Sequence, residues 1–249
     1  MKRTIKTAWA GGVLALACAC ALQAQASVVI AATRIIYQAK DRETTVKLGN
    51  EGQAPALTQA WIDKGDPKAS PSSIDVPFAV APPVARIDPG KAQTLRILHT
   101  GEALPQDRES VFWLNVLEVP PKPGAEDSEV NKLQMAFRSR IKLFFRPAGL
   151  QGLANDAPAQ VRWRRVETGS RVALEGRNPT PYHVSFASLE LVGGGQTARF
   201  DDGEMIAPGQ TMVFPLTGDA PRGADAKVRY HAVNDHGGAT RGEAPLAAP

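Results

Sequence analysis

Between Asn131 and Pro147 the chain reads NKLQMAFRSRIKLFFRP, and its side chains alternate. Leu133, Met135, Phe137, Ile141, Leu143 and Phe145 share one parity, interrupted by Ser139. Lys132, Gln134, Arg138, Arg140, Lys142 and Arg146 hold the other, with Ala136 and Phe144 as exceptions. A period of two sustained over this length is the signature of a β-strand with one apolar face and one wetted, cationic face. Most strands end after about five or six residues. The residues alone leave two readings. The stretch is either a central sandwich strand whose apolar face meets only its own domain, or a strand that outruns its domain and offers apolar residues to a partner.

The chain opens with MKRTIK, an apolar run from Ala8 to Leu22, and Ala24-Gln25-Ala26. A positive start, a short apolar core and an A-x-A site predict a secretory signal peptide over residues 1–26, cut after Ala26. The run is too short, and wrongly flanked, for a membrane span. Cys18 and Cys20 both fall inside it, preceded three positions earlier by Ala15 and Ala17 rather than the leucine of a lipid-anchor site. The expected mature chain is free of cysteine, so an exported product must hold together by packing alone. Removing Lys2, Arg3 and Lys6 takes 29 basic residues to 26 against 25 acidic ones. A near-neutral chain gives no reason to expect nucleic acid or an anionic membrane as partner, and no second apolar span suggests membrane insertion.

Strand signals fill the rest. VVIAATRIIYQAK from Val28 is β-branched and apolar except for Arg34, which sits either on the solvated side of an edge strand or inside a cleft. Glu43–Leu48, Ala56–Asp63, Thr94–His99 and Ser110–Val119 follow, with Trp61 expected in the core. Six prolines between Asp66 and Gly90 exclude a central strand and imply an irregular crossing with short edge pieces. Residues 120–131 read as a loop. The pattern gives about seven strands between Val28 and Pro147, an immunoglobulin-like sandwich. Residues 148–160 read as a linker. Residues 161–249 form a second β unit with strands near 161–166, 171–175, 182–191, 196–200, 211–215 and 227–233, a hairpin at Gly193-Gly194-Gly195, and a mobile tail after Gly242. The expected fold class is therefore all-β, with an N-terminal domain over 27–147 and a C-terminal one over 161–249.

No catalytic spacing is present: no G-x-S-x-G, H-E-x-x-H or phosphate-binding G-x-x-x-x-G-K-[ST]. His231 and His236 bracket Asp235, but no thiolate or carboxylate cluster completes a metal site. Neither cofactor nor metal is expected, and a hydrolase has no nameable nucleophile or base.

Six stretches, taken together, resemble one family. TRIIY (Thr33–Tyr37), PPVARIDPGKAQTLRI (Pro82–Ile97), LPQDRESVFWLNVLEVPP (Leu104–Pro121), RIKLFFRP (Arg140–Pro147), NPTPYHVSF (Asn178–Phe186) and AVNDHGG (Ala232–Gly238) look like the periplasmic chaperones of bacterial pilus assembly. The resemblance covers nearly all of the expected mature chain, in order. It implies two immunoglobulin-like domains arranged as a boomerang, whose cleft holds a fimbrial subunit lacking its last strand. Leu133, Met135 and Phe137 would then enter the subunit's groove, and Arg34 and Lys142 would bind its terminal carboxylate. Glu109, Arg146 and Asp235 would form an interdomain ion network. An outer-membrane usher is the implied second partner, the periplasm the location, and the loop over 120–131 is closer to the short-loop branch. For the free protein the resemblance admits a self-capping homodimer. A structural or adhesive two-domain pilus component is the rival, and it would lack the long final strand of domain one. Lys142 has the opposite parity to Leu133, Met135 and Phe137, which requires strong twist, a bulge near Ser139, or a cleft that uses both faces.

Overall fold

A computed structural model of the chain describes residues 27–119, 135–168, 171–221, 223 and 225–247. The expected leader, the loop at 120–131 and Leu133 lie outside the described residues. In the first half the strands are β1 (Val28–Ile30), β2 (Arg34–Gln38), β3 (Glu43–Asn50), β4 (Ala56–Asp63), β5 (Phe78–Ala81), β6 (Val84–Ile87), β7 (Ala92–His99), β8 (Ser110–Val119) and β9 (Phe137–Arg146). They form two sheets, ordered β1-β3-β7-β5 and β2-β9-β8-β4-β6.

Among the described residues nine strands stand where about seven were expected, partly because the apolar run from Val28 divides. β1 pairs antiparallel with β3 in one sheet. Ala31 still donates its N–H to Lys47 O (2.9 Å). The chain then crosses, and β2 joins β9 in parallel in the other sheet. The proline-rich crossing supplies β5 and β6, each at the edge of its sheet, where a missing N–H costs no ladder bond.

Alternation decides what is inside. Ile35 and Tyr37 of β2, Phe112, Leu114 and Val116 of β8, and Leu143 and Phe145 of β9 point into the sandwich. Tyr37, Phe78, His99, Phe112 and Phe145 stack or tilt against one another with centroids 4.9–6.4 Å apart. Trp61 does not join them. On β4 the inward parity belongs to Ala56, Thr58, Ala60 and Ile62, so the expected core tryptophan lies on the outer face.

The second half contains β10 (Arg162–Thr168), β11 (Arg171–Arg177), β12 (Val184–Gly193), β13 (Gln196–Phe200), β14 (Glu204–Ile206), β15 (Thr211–Pro215), β16 (Thr217–Gly218), β17 (Lys227–Val233) and β18 (Ala239–Pro245). β10-β11-β15 faces a sheet ordered β16-β13-β12-β17-β18, with β14 also on β12. Trp163, Phe186, Phe200, Phe214 and Tyr230 fill the space between the sheets. Two expectations change here. The segment after Gly242 is not a free tail: β18 pairs with β17 as far as Pro245, and Ala247 N–H donates to Trp163 O (2.6 Å). The stretch read as a linker carries a helical turn at Ala157–Gln160, with Ala157 and Pro158 buried.

Candidate functional site

The parallel pairing of β2 with β9 sets Arg34 opposite Lys142. Partners in such a pair project from the same face, so two cations stand side by side where like charges ordinarily destabilise a sheet. Both are half-buried. Burial, and then the charge of Arg34, push the Lys142 ammonium below its usual value, with Glu204 of β14 opposing. Burial lowers Arg34 as well, against Asp235 and Glu109. The Arg34 guanidinium lies 5.7 Å from the Phe144 ring centre and donates from Nη1 to Val233 O in domain two (2.9 Å). Its Nε is buried and has no hydrogen-bond partner among the described residues. Two partly desolvated cations on one face, one with a donor unspent, are suited to an oxyanion such as a carboxylate.

The register of β9 resolves the parity problem. β8 pairs with it without a break from Ser110↔Phe145 to Glu118↔Phe137, so that ladder contains no bulge near Ser139. Lys142 therefore faces away from Phe137, and the strand uses both of its faces. The apolar line starts in the core at Phe145 and Leu143, is only partly covered at Ile141, and emerges as Phe137 (37 % exposed) and Met135 (48 %). The structure thus brings Arg34 and Lys142 together, and places Phe137 at the far end of β9 and Met135 two residues before it.

The opposite face was expected to be simply wetted, and it is not. Phe144, one of the two exceptions in the cationic parity, packs against His183 of domain two with ring centres 5.5 Å apart. Arg140 lies over Trp113 (4.7 Å) and pairs with the buried Asp63 at 2.5 Å. Asp63 also accepts from Asn115 and from the Gly65 N–H. Burial would raise the Asp63 pKa, but these donors and Arg140 outweigh it and hold the carboxyl below its usual value. Arg138 sits over Trp61 (5.9 Å) and donates to Pro67 O. The outer tryptophan has a cation as its cover.

Arg146, at the end of β9, lies between Glu109 and Asp235. Its Nε donates to Glu109 Oε1 (2.6 Å), and Nη1 and Nη2 donate to Asp235 Oδ2 and Oδ1 (2.6 and 2.8 Å). Burial disfavours the guanidinium charge, but the Asp235 hydrogen bonds and both carboxylate charges raise its pKa above the usual value. Glu109 Oε2 accepts the His183 N–H (2.8 Å), and Glu109 N–H donates to Pro181 O (2.9 Å), so one residue binds domain two by side chain and backbone. His183 was not among the expected site residues; the signal available was its place in NPTPYHVSF, beside the Asn178 turn. Asp235 is turned to Arg146 rather than to a histidine. The loop that presents it is folded by Asn234, whose Oδ1 accepts the N–H groups of His236 and Gly238. Gly237 (φ +80°) lies so near domain one that a Cβ there would fall 2.0 Å from Thr33 Oγ1.

Residues 27–151 match the family described as "Pili and flagellar-assembly chaperone, PapD N-terminal domain", and residues 156–244 match "Pili assembly chaperone PapD, C-terminal domain". The chain belongs to this family of pilus-assembly chaperones. Among its relatives, the probable fimbrial chaperone YadV of Escherichia coli K12 is 46 % identical over 223 residues, covering 89 % of this chain and 90 % of YadV. The chaperone protein FimB/FhaD of Bordetella pertussis is 49 % identical over 234 residues, covering 90 % of each. The crystal structure of YadV superposes with a TM-score of 0.76 over 89 % of this chain and all of that one, at 43 % identity. A Salmonella enterica SafA pilin–SafB chaperone complex contains a chain similar at a TM-score of 0.74 and 30 % identity, covering 89 % of this chain and 97 % of that one. This chaperone thus has the all-β architecture of two immunoglobulin-like sandwiches arranged as a boomerang.

Proposed function

We propose that this protein is a non-enzymatic periplasmic chaperone that binds fimbrial subunits by donor strand complementation and delivers them to an outer-membrane usher. Residues 1–26 act as the export signal and are removed after Ala26. The subunit's terminal carboxylate docks between Arg34 and Lys142, and Leu133, Met135 and Phe137 enter the groove that its missing strand leaves open. The observation that carries the reading is one stretch of chain: Lys142 within β9 stands beside Arg34 of β2, while Phe137 at the start of β9 and Met135 just before it are left uncovered. An incomplete sandwich exposes unpaired strand edges that invite aggregation. A donated strand satisfies them through main-chain hydrogen bonds, with alternate side chains as anchors. Each large side chain fully buried contributes about 1.5–3 kcal/mol, offset in part by ordering costs. The cation pair sets the register, because a slip of one residue would turn every anchor outward. Glu109, Arg146 and Asp235 hold the two domains at the angle that forms the cleft. Without a subunit, the same exposed strand can cap a second copy.

The test is coexpression of the exported protein with its fimbrial subunit, followed by copurification from the periplasm. Arg34→Ala and Lys142→Ala should each leave the fold intact and weaken capture by about 2–5 kcal/mol, the usual cost of truncating one partner of a close charge pair. A subunit whose terminal carboxylate is displaced by one added residue should lose affinity for the wild-type chaperone, and much less for the two variants. Severe melting of either variant, or equal losses with both forms of the subunit, would defeat the carboxylate assignment.

A further inference from the structure

Ser27 and Val28 are both tied to one carboxylate. The Ser27 hydroxyl donates to Glu118 Oε1, and the Val28 N–H donates to Oε2 at 3.1 Å. The Ser27 carbonyl accepts the Glu51 N–H (2.8 Å), so residue 27 is held from two sides. Room for it comes from Gly52, where a Cβ would fall 2.5 Å from that of Ser27. Asn50 in turn fixes Gly52 by accepting its N–H (2.9 Å). Glu118 belongs to β8 in one sheet, while β1 belongs to the other. The contact therefore joins the two sheets at one end of the sandwich. Glu118 is also the register partner of Phe137, the first residue of β9.

In a serine, the main-chain nitrogen lies about 2.8–3.7 Å from the side-chain oxygen, whichever staggered rotamer is adopted. With the Ser27 hydroxyl and the Val28 N–H both bonded to Glu118, the Ser27 nitrogen lies within a few ångströms of the same carboxylate. In the uncut chain that nitrogen is a neutral amide. We propose that Glu118 is the binding site for the protein's own processed N-terminus. Cleavage after Ala26, the cut proposed above on which this inference rests, turns the amide into an α-ammonium that docks on Glu118 and clamps β1 to β8 at the root of the donor strand. The exchange sets a full positive charge beside the Glu118 carboxylate, adding an ion pair to the two hydrogen bonds already there. Maturation and stiffening of domain one are then a single event.

The experiment is a double-mutant cycle on exported protein, with the cut checked first by intact mass. A mass that begins at a residue other than Ser27 overturns the proposal and leaves the subunit-binding reading untouched. One axis of the cycle is Glu118→Gln. The other is a glycine inserted between Ala26 and Ser27, which moves the ammonium outward by about 3.5 Å. With the native terminus, Glu118→Gln should lower the melting temperature by about 2–4 °C. With the added glycine, the same substitution should have well under half that effect. Equal losses in the two backgrounds would mean that Glu118 serves only the hydroxyl and the Val28 N–H, and would overturn the proposal. So would no loss in either.

Discussion

Replacing Arg146 by methionine tests the interdomain network most directly. The Glu109 side chain is 1 % exposed and that of Arg146 13 %, so this is a buried pair, whereas Asp235 at 28 % can return to water. Without the guanidinium, Glu109 keeps, among the described residues, only the His183 N–H at 2.8 Å and the His183 ring nitrogen at 3.3 Å as side-chain partners. Breaking a buried pair by removing one partner costs about 3–5 kcal/mol, chiefly the penalty of the stranded charge. The loss should fall on Glu109 and hardly at all on Asp235. That attribution makes a second, sharper expectation: Glu109→Met combined with Arg146→Met removes both charges and should recover more than half of the single-variant loss. Urea unfolding followed by tryptophan fluorescence and circular dichroism measures both, since Trp61 and Trp113 report on domain one and Trp163 on domain two. A loss below about 1 kcal/mol for Arg146→Met, or strict additivity in the double variant, would refute a desolvated Glu109 as the source.

Along β9, Phe145→Glu should unfold domain one, since losing a buried phenylalanine to alanine alone costs about 3–5 kcal/mol. Met135→Glu should stay within about 0.5 kcal/mol of wild type by thermal melting, yet abolish subunit copurification; equal melting losses at both positions would place Met135 in the core. Lys142, held low by burial and Arg34, should lose its proton below the usual lysine range. Capture of a carboxylate-ended peptide should therefore weaken as pH rises toward that value, while capture of the carboxamide form stays flat in titration calorimetry. For stability the sign is opposite. The unfolded chain holds the lysine proton more tightly, so this residue's contribution grows as pH climbs from the lowered folded value toward about 10.4. Gly237→Ala combines a positive φ with a clash on Thr33, and should cost about 1–3 kcal/mol while widening the interdomain angle seen by small-angle X-ray scattering. An unchanged scattering profile and melting temperature would show that the loop yields instead.

How far the chain could be read in advance depended on which residues met local partners. The alternation from Leu133 to Phe145 announces a half-buried strand, and the six-proline crossing announces edge pieces, because periodicity and missing N–H groups act within a few residues. Trp61 was misplaced because size suggests burial, whereas parity on β4 decides it. β18 was missed because Thr240, Gly242 and Glu243 carry no strand signal; its order comes from pairing with β17 and from Trp163. At the site, Arg34 and Lys142 are more than a hundred positions apart, and only the parallel β2–β9 register shows them as neighbours. Phe144 looked like a flaw in a cationic stripe until His183 of the other domain was placed against it.

Arg34 spends one nitrogen on the carbonyl of Val233, at the mouth of the Asn234 loop. A fragment ending after Arg146 would keep every residue of the cation pair and the whole of its own sandwich. It would lose the acceptor that aims Arg34, the loop that carries Asp235, and the His183 ring that covers Phe144. The guanidinium would then swing freely into solvent, and an anion would meet a floppy charge instead of a fixed one. In the proposed carboxylate site, domain two would thus serve as a jig that holds the first domain's tool at a set angle. An engineer trimming this protein to a smaller binder would find the contact residues all present and the aim gone.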